Sequence, residues 1–523
     1  MLRDETELIA LCVALGASES GGPLTADERA LVKSARSRIP LDESLLDKFS
    51  QAILDGEDPL GDEFCTLRSP EERRPTGSFY TPKRIVESMV TWVLERDPAR
   101  IVDAGAGSGR FAVATRRMGF AGELIAIDAD PLASLMTRAH LAVAGFRDVR
   151  VVQGDFLRLE LPEIDGRTAF IGNPPYVRHH DLEASTKSLA KTSAQRLGIR
   201  LSGLAGLHVL FMLAAARNSK PGDLGSFITA AEWLDVGYGS AIRELIADSM
   251  GGVRLDLVDQ RAVPFEDAMT TAIIACWQVG YSGALTVRRV VEPERLLSLA
   301  GGRSVSRHRL GALHRWSDFF RPSKAPRDGL VPLGSLARVH RGIATGNNAF
   351  FILSRSEAVH RGLKDFTRPV VVRASQVISA SGEIRAEQLD HVLVHARAGD
   401  ERSPALARYI DEGQQLGVHE RYLCAHRTPW WRVGGSPAPP IIATYMARRP
   451  PAFAENPDGA HIVNVFHGIY PHDGDTDIAR ALVAWLNRNR EDLDGGRTYH
   501  GGLRKFEPRE LEALLVPPAA RLL

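Results

Sequence analysis

The sequence predicts an α/β fold built on a mostly parallel sheet, and three stretches carry that prediction. A short apolar strand beginning at Ile101 runs into a glycine-rich turn and then a helix, and the next strand, 124–128, ends in an acid. A later apolar strand leads directly into Asn-Pro-Pro-Tyr at 173–176. Strands that alternate with helices indicate βαβ units, which bind ligands at the carboxyl edge of their sheet. We therefore expect the functional site at that edge.

Length and composition are those of an ordinary globular protein. The chain has 523 residues, of which 44% are hydrophobic and 25% charged, so two or three domains with full cores are expected. No apolar run approaches the ~18 residues of a membrane helix, and the acidic start lacks the basic segment of a signal peptide. The net charge of +1 does not point to nucleic-acid binding, although a neutral total can hide a basic face.

The four cysteines lie far apart, at positions 12, 65, 276 and 424. None has the paired spacing of a zinc site or of a disulfide framework. We therefore expect a reduced, cytoplasmic location, with no metal site and no membrane association.

Residues 1–74 are expected to form a short helical extension. Patterns at 7–15, 27–35 and 45–54 predict helices, and a charged segment with prolines at 70 and 75 closes the extension. It shows no paired carboxylates with a lysine, the arrangement of a nuclease, and no other chemistry is readable in it. After it, Thr81 and Pro82 predict the start of a helix that includes 85–94, with proline at the first helical position.

The turn after the first strand contains Gly105, Gly107 and Gly109, and Asp103 precedes it. Glycines permit a tight turn and let a ligand touch the backbone where the helix begins. An acid before the glycines would repel the pyrophosphate of a dinucleotide. It suits a cationic ligand that carries an amino group, such as S-adenosylmethionine.

Four successive strands end in polar side chains that suit one nucleoside ligand. Asp128 ends the second strand, where an acid can bind the two hydroxyls of a ribose. The third strand leads to Asp155 and Phe156, which could accept from an adenine amino group and pack on its ring. The fourth leads to Asn173. Because the carboxyl ends of parallel strands meet at one edge, we expect Asp103, Asp128, Asp155 and Asn173 to share a site.

The Asn173-Pro174-Pro175-Tyr176 turn is the most distinctive of these strand ends. The two prolines fix φ at adjacent positions and remove two backbone donors, and they hold Asn173 extended. The turn then presents an amide, a carbonyl oxygen and an aromatic ring in fixed geometry, which suits a planar substrate with an amino group. The alternative is a plain Pro-Pro turn whose tyrosine belongs to the core.

The remaining chain predicts a second domain and fewer site residues. Residues 178–200 are polar and basic and are expected to form a mobile loop beside the site. Phe265 lies in a loop with Pro and Asp neighbours, which is less typical of a core residue. Residues 296–330 suggest a linker. In 331–523, glycine, asparagine, arginine and aromatic residues interleave in loops, as groove and phosphate contacts require; the alternative is an ordinary loop-rich domain.

The order of these motifs resembles the gamma-class, TaqI-like adenine-specific DNA methyltransferases of restriction–modification systems. Phe-Tyr-Thr-Pro at 79–82 comes first, followed by Asp103 with the glycine turn, then Asp128, Asp155-Phe156, Asn-Pro-Pro-Tyr and the Phe265 loop. Arg-Gly-Ile-Ala-Thr-Gly-Asn at 341–347 and Gly-Gly-Leu-Arg-Lys-Phe-Glu-Pro-Arg-Glu-Leu at 501–511 also resemble that family. The likeness covers roughly 75–290 as the catalytic part and 331–523 as the specificity part.

This resemblance implies a class I S-adenosylmethionine-dependent methyltransferase fold, Rossmann-like, with a C-terminal α+β DNA-specificity domain. The implied domains are 1–74, a helical extension; 75–295, the methyltransferase; 296–330, a linker; and 331–523, target recognition. The implied partners are double-stranded DNA and a separately encoded restriction endonuclease, and the implied state is a monomer or weak dimer.

The resemblance also assigns site residues, position by position. The family's ribose-binding acid is often glutamate, and Asp128 is one methylene shorter. The residues implied to bind the cofactor are Tyr80, Thr81, Asp103, Gly105, Gly107, Gly109, Asp128, Ala129, Asp155, Phe156 and Asn173. Those implied to hold a flipped adenine for N6 methylation are Asn173, Pro174, Pro175, Tyr176 and Phe265.

Three alternative functions share parts of this pattern. Protein glutamine-N5 methyltransferases carry Asn-Pro-Pro-Tyr, but they are shorter and lack the Phe-Tyr-Thr-Pro helix and a large C-terminal domain. RNA adenine methyltransferases share the turn, and the likeness of 331–523 argues against them. A non-catalytic DNA-specificity protein would not need an intact set of catalytic residues.

Overall fold

The computed structural model describes residues 2–36, 42–68, 81–259, 262, 271–312, 315–320, 329–435, 437–447, 450–472, 474–490, 493, 497–499 and 503–522. The chain divides into two compact units, Met1–Pro322 and Ser323–Leu523. Tyr80 and Phe265, both expected at the site, lie outside the described residues.

The first unit is organised around one mostly parallel sheet. Its order among the described strands is β3-β2-β1-β4-β5-β7-β6-β8-β9. The first five strands in this order are parallel to one another, and β7 is antiparallel to both of its neighbours, β5 and β6. The strands are β1 Arg100–Ala104, β2 Glu123–Asp128, β3 Arg150–Gln153, β4 Thr168–Gly172, β5 Leu224–Ala230, β6 Gly252–Val258, β7 Ala272–Gln278, β8 Leu285–Val290 and β9 Arg303–Val305.

Helices cover both faces of this sheet. They are α1 Glu5–Ala14, α2 Ala26–Ala35, α3 Glu43–Leu54, α4 Pro59–Leu67, α5 Lys83–Leu94, α6 Arg110–Arg117, α7 Pro131–Val143, α8 Ala184–Arg196, α9 Leu207–Arg217, α10 Ser240–Ala247 and α11 Arg307–Ala312. The side chains of β1 alternate between two cores, so that Val102 packs with α9 and Ile101 with α5 and α6. A strand buried on both faces reads as a continuous apolar run, which is why the sequence pattern identified β1, β2 and β4.

The four N-terminal helices pack around α7 and share one core with it. A fully buried ion pair, 2.8 Å between Arg138 Nε and Glu28 Oε1, joins α7 to α2. Arg138 also donates to the carbonyl oxygens of Ser20 and Gly22, at 2.7 and 2.6 Å. The backbone carbonyl of Gly21 accepts from the amide of Val151 in β3 at 3.0 Å. The extension is therefore built onto the edge of the sheet.

Two sequence expectations about loops are wrong. Residues 184–196, expected to be a mobile loop, form helix α8, which buries only the small side chains Ala190, Ser193 and Ala194. Such a face leaves little apolar periodicity to detect. Most of the expected 296–330 linker belongs to the first unit, because β9 pairs with β8 and Trp316 and Phe319 are buried in its core. These apolar residues stand in elements of only a few residues, which hides their pattern.

The start of α5 also differs from expectation. The helix begins at Lys83, with Pro82 as its N-cap residue, and the cap makes no side-chain hydrogen bond. Thr81 is buried in front of the helix. Its hydroxyl therefore does not close the first turn, because proline stands where a capping side chain would be.

The second unit combines small sheets and short helices. The described sheet orders are β10-β22, β11-β19-β15-β17, β12-β14-β13-β18 and β16-β21-β20. Their strands are β10 Val331–Pro332, β11 Ala337–Arg341, β12 Ile352–Ser354, β13 Thr367–Val371, β14 His391–Val394, β15 Ile441–Thr444, β16 Met446–Ala447, β17 Phe453–Glu455, β18 His461–Ile462, β19 Phe466–Pro471, β20 Arg497–Tyr499, β21 Leu503–Lys505 and β22 Leu515–Val516.

The helices of this unit are α12 Asn348–Phe351, α13 Arg355–His360, α14 Ala374–Ile378, α15 Pro404–Gln415, α16 Tyr422–Ala425, α17 Thr476–Arg488, α18 Pro508–Glu512 and α19 Ala519–Leu522. Two apolar clusters form its cores. Across the described parts of both units, no helix is long and apolar enough to cross a membrane.

Candidate active site

A cavity of about 290 Å³ lies at the carboxyl edge of β1, β2, β3 and β4. This is the edge at which the sequence predicted the site, because ligands of open α/β sheets bind there. The sequence-predicted residues that line the cavity are Thr81, Gly105, Gly107, Asp128, Ala129, Asp155, Phe156, Asn173 and Pro175.

Asp128 ties the end of β2 to the glycine turn. Its Oδ2 accepts from the amide of Gly107 at 2.8 Å, and its Oδ1 accepts from the amide of Asp130 at 2.9 Å. Burial raises the pKa of Asp128 to about 6. Gly109 has φ +91°, and a Cβ there would lie 3.0 Å from the side chain of Thr137, so the turn is closed against α7 by a residue without a side chain.

Asp103 does not line the cavity. It is fully buried on the sheet face covered by α6, where its Oδ2 accepts from the amide of Ala112 at 3.0 Å. Its Oδ1 is buried and makes no hydrogen bond within the described structure. Burial raises the pKa of Asp103 to about 8, and the nearby Asp128 carboxyl adds to the rise. The position lies behind the glycine turn rather than on the cavity surface.

The Asp155-Phe156 end of β3 offers an acceptor and a ring. The Oδ1 of Asp155 accepts from the amide of Leu157 at 2.9 Å, and its side chain is 40% exposed. The ring of Phe156 packs on Phe211 of α9, with centroids 5.1 Å apart, and both rings line the cavity. The ring is therefore held in place by the core while the carboxylate beside it stays accessible.

The Asn-Pro-Pro-Tyr turn adjoins the glycine turn. Gly172 has φ +151°, and a Cβ there would overlap the carbonyl oxygen of Ala104, so β4 passes the end of β1 only with glycine. A Cβ built on Gly105 would lie 3.7 Å from Pro175 and 3.9 Å from the Asn173 carbonyl oxygen. The two turns are therefore near van der Waals contact.

The Asn-Pro-Pro-Tyr turn is followed by a hydrogen bond to α9, and its tyrosine is partly buried. The carbonyl of Val177 accepts from the amide of Leu207, the first residue of α9, at 2.9 Å. Burial raises the pKa of Tyr176 above its ordinary value. Pro174, Tyr176 and Gly109 are not among the residues that line the cavity.

Sequence reasoning missed several lining residues. Arg110 directly follows the last glycine, and Asp130 caps α7 two residues after Asp128. Both could have been predicted, because they lie next to residues that the sequence already assigned to the site. Leu207 and Phe211 face the cavity from α9, and Phe64 faces it from α4. No local motif marks these three, because their place depends on packing between distant parts of the chain.

The cavity fits S-adenosylmethionine. Acidic side chains line it at Asp128, Asp130 and Asp155, and the ligand is a cation that carries a ribose with two hydroxyls. The ring of Phe156 offers an apolar surface of the kind that a nucleobase packs against. Fold and cavity together define a class I S-adenosylmethionine-dependent methyltransferase.

Comparison with known proteins gives the family. Residues 153–254 match the family described as Eco57I restriction-modification methylase, and residues 324–522 match the C-terminal domain of Type II methyltransferase M.Eco57I. Type II methyltransferase M.XamI of Xanthomonas campestris pv. amaranthicola is 40% identical over 100% of this chain and 99% of its own length. Type II methyltransferase M.AccI of Acinetobacter calcoaceticus is 23% identical over 85% of each.

A solved structure agrees at the level of the fold. The type IIL restriction-modification enzyme MmeI, determined in complex with DNA, superposes with a TM-score of 0.56 at 11% identity. The match covers 93% of this chain and 73% of that one. From the full-length similarity above, the chain belongs to the type II DNA methyltransferases of restriction–modification systems. This membership favours DNA over the protein and RNA substrates that the sequence left open.

Proposed function

We propose that this DNA methyltransferase acts on the N6 amino group of an adenine turned out of the duplex. The observation that carries the proposal is the approach of the Asn173–Tyr176 turn to the glycine turn, with Asn173 and Pro175 on the surface of the cofactor cavity. The turn offers an amide oxygen, a carbonyl oxygen and an aromatic ring, and adenine is a planar base with one amino group.

The proposed chemistry is an in-line displacement that depends on alignment. When bound, S-adenosylmethionine supplies an electrophilic methyl group on its sulfonium. The Asn173 side-chain oxygen and the Pro174 carbonyl oxygen would accept the two N–H groups of the adenine amine. Those acceptors favour a pyramidal nitrogen and stabilise the positive charge that develops on it.

A base inside a duplex cannot reach such a pocket, so the adenine has to leave the stack. We propose that Tyr176 and Phe265 pack on the two faces of the extruded base, while Pro174 and Pro175 hold the turn rigid. Stacking of a base on an aromatic side chain contributes about 1–3 kcal/mol. Phe265 lies outside the described residues, and its role rests on its place in the order of motifs.

The cofactor roles in this proposal follow the cavity. Asp128 would bind the ribose hydroxyls, Asp155 the adenine amino group of the cofactor and Phe156 its ring, beside the backbone of Gly105, Gly107 and Ala129. Thr81 and Asn173 also line the cavity. Tyr80 and Gly109 complete the set by their place in the order of motifs. Asp103, which lies behind the glycine turn, would support the cofactor site without touching the cofactor, by accepting from the Ala112 amide of α6.

We further propose that residues 331–523 recognise the DNA sequence, joined to the catalytic part by a linker shorter than 296–330. The supporting feature is a cavity of about 300 Å³ in the second unit, lined by Arg341, Arg427, His461 and Tyr470 among others. Beside it His395 stacks on His461, with ring centroids 4.8 Å apart. Arginine and aromatic side chains at a cavity suit contacts with phosphates and bases.

Identification of the methylated nucleoside tests this proposal. A duplex library methylated by the full chain with labelled S-adenosylmethionine is digested to nucleosides, which are separated and weighed by mass spectrometry. We expect N6-methyladenine in one sequence context. Label in N4-methylcytosine or 5-methylcytosine would overturn the proposal. Asn173→Ala protein prepared in the same way controls for methyltransferases of the expression host.

A further inference from the structure

One wall of the cofactor cavity comes from the N-terminal extension. Phe64 of α4 is only 2% exposed, and it lines the cavity together with Thr81, Arg110 and Ala133. The sequence offered no chemistry for this segment. Because the ring is already almost wholly buried, it would offer a bound nucleoside a packed van der Waals surface rather than a release of water.

The Arg68 side chain connects the Phe64 ring to the acidic side of the cavity, through a cation–π contact with the ring and ion pairs with carboxylates. The Arg68 guanidinium lies 4.5 Å from the centroid of the Phe64 ring. The same guanidinium donates to Oδ2 of Asp130 at 3.1 Å and to Glu5 of α1 at 2.6 Å. Since Asp130 caps α7 and lines the cavity, Arg68 couples the position of Phe64 to the residues that follow Asp128.

A second link runs from the extension to the glycine turn itself. Asp58 caps α4 by accepting from the amide of Gly61 at 2.8 Å. Its Oδ2 also accepts from the hydroxyl of Ser108 and from Nε of Arg110, both in or next to the glycine turn. Arg110 in turn donates to the Thr81 carbonyl oxygen at 2.9 Å. One carboxylate of the extension therefore holds two donors of the turn.

The charge of Asp58 is retained despite its burial. Burial alone would raise the pKa of Asp58, but His140 and Arg110 outweigh it, and the pKa lies below its usual value. Nε2 of His140 lies 3.3 Å from Oδ1 of Asp58. A buried carboxylate that stays ionised forms stronger hydrogen bonds than a neutral acceptor would, so the link to Ser108 and Arg110 is a firm one.

We propose that the N-terminal extension is part of the cofactor site. Phe64 forms an apolar wall against bound S-adenosylmethionine, and Asp58 is a positioning residue that holds the glycine turn through Ser108 and Arg110. The proposal rests on the assignment of the cofactor to this cavity. The alternative is that the extension only stabilises the fold and does not affect cofactor binding.

Calorimetric titration of S-adenosylhomocysteine into the full chain, without DNA, tests the wall. We expect Phe64→Ala to raise Kd by roughly tenfold, the loss of a buried aromatic contact. The control is Phe49→Ala in α3: Phe49 is 5% exposed and packs in the same core, but it does not line the cavity. If the two variants bind the ligand equally well, the wall assignment is wrong.

The test remains decisive even if Phe64→Ala protein does not fold, because a second substitution is compared in the same way. Circular dichroism reports the fold of each variant, and Phe64→Leu keeps apolar bulk while it removes the ring. We expect folded Phe64→Leu protein to bind more weakly than Phe49→Leu protein. The cavity itself is tested separately by Asp128→Ala: wild-type affinity there would overturn the cofactor assignment, whereas weak binding there with normal binding in the Phe64 variants would overturn only the role of the extension.

The matched control for Asp58 is Asp62, which contacts the same arginine. Asp62 also contacts Arg110, at 3.1 Å, but its side chain is 74% exposed. We expect Asp58→Asn to raise the KM for S-adenosylmethionine several-fold while kcat at saturation stays near wild type, and Asp62→Asn to change neither. A fall in kcat with unchanged KM, or equal effects of the two substitutions, would contradict a positioning role.

Discussion

The Oδ2 atom of Asp128 accepts a 2.8 Å hydrogen bond from the backbone amide of Gly107. This contact joins the end of the second strand to the middle of the glycine turn, 21 residues earlier in the chain. The carboxylate therefore shapes the turn and also faces the cavity. A substitution at Asp128 removes an acceptor from the backbone and an acid from the cofactor surface at once.

We expect Asp128→Ala to weaken binding of S-adenosylmethionine by about tenfold to a hundredfold, the range for losing hydrogen bonds to a charged group. The loss includes the amides of Gly107 and Asp130, which would be left without their acceptor. Calorimetry on the protein without DNA measures it. Asp165→Ala serves as control because Asp165 is exposed and precedes β4, at the amino ends of the parallel strands. Weaker cofactor binding by this variant as well would point to a general defect.

Asp103 should make the stability of the cofactor-free protein depend on pH. Its pKa is raised from 3.8 to about 8 by burial, so the folded protein retains a proton that the unfolded chain releases. Between these two values the folded state binds more protons, and its stability therefore falls as pH rises from about 4 to about 8. Asn cannot titrate and can still accept from the Ala112 amide.

We expect the melting temperature of Asp103→Asn to decline less than that of wild type between pH 5 and pH 8. Thermal unfolding at a series of pH values, with no ligand present, measures the difference. Asp128 contributes in the same direction in both proteins, because its pKa is raised to about 6, so it cancels in the comparison. Parallel curves for the two proteins would show that Asp103 is ionised in the fold.

The sequence predicted which strand ends meet at the cavity, whereas the roles of the residues there stay predictions. Asp128, Asp155 and Asn173 follow apolar strands, and parallel pairing brings such strand ends together wherever the helices lie. It failed for Asp103, because the side chain before a turn points to one sheet face or the other according to register. Only the packed α6 decides that this carboxyl is buried.

Long-range packing hid the remaining features. Phe64 reaches the cavity because α4 shares a core with α7, about seventy residues further along the chain, and no local pattern records that arrangement. Trp316 and Phe319 stand in short elements that the sequence alone assigns to a linker. In both cases the information lies in the shape of a core, which a scan for periodicity does not detect.

The histidine pair in the second unit is surrounded by cations. Burial lowers the pKa of His395, and Arg368, Arg397 and Arg432 lower it further. Arg397 and Arg432 are exposed. Positive charge concentrated next to a cavity attracts phosphates, and each phosphate contact releases counterions.

We expect Arg397→Ala combined with Arg432→Ala to weaken binding to all duplexes and to reduce the slope of log K against log salt by about 1–2. Fluorescence anisotropy with a labelled duplex over a salt series measures both quantities. Arg480→Ala is the matched control, since Arg480 is 67% exposed but pairs with Asp477 and Glu455 at 3.3 and 3.6 Å. An unchanged slope in the double variant would remove this surface from the DNA contact.

Asn173 gives the most direct test of the chemistry. Asn173→Ala removes one proposed acceptor of the adenine amine while both prolines and the ring of Tyr176 remain. Loss of one preorganised hydrogen bond in a transition state lowers a rate by about 10²–10³, and we expect a fall of that size in single-turnover methylation. Affinity for S-adenosylmethionine should change little, because the main polar contacts proposed for the cofactor lie at other strand ends.

The charged variant separates an electrostatic role from a steric one. Asn173→Asp keeps an oxygen acceptor and faces the developing positive charge with a negative one, so we expect it to retain more activity than Asn173→Ala. Asn218→Ala, which removes an amide that donates to the Leu159 carbonyl oxygen at 3.0 Å, controls for loss of a structural amide in the same unit. If Asn173→Ala methylates at the wild-type rate, or if its defect lies wholly in cofactor affinity, the amide of Asn173 does not act on the adenine amine.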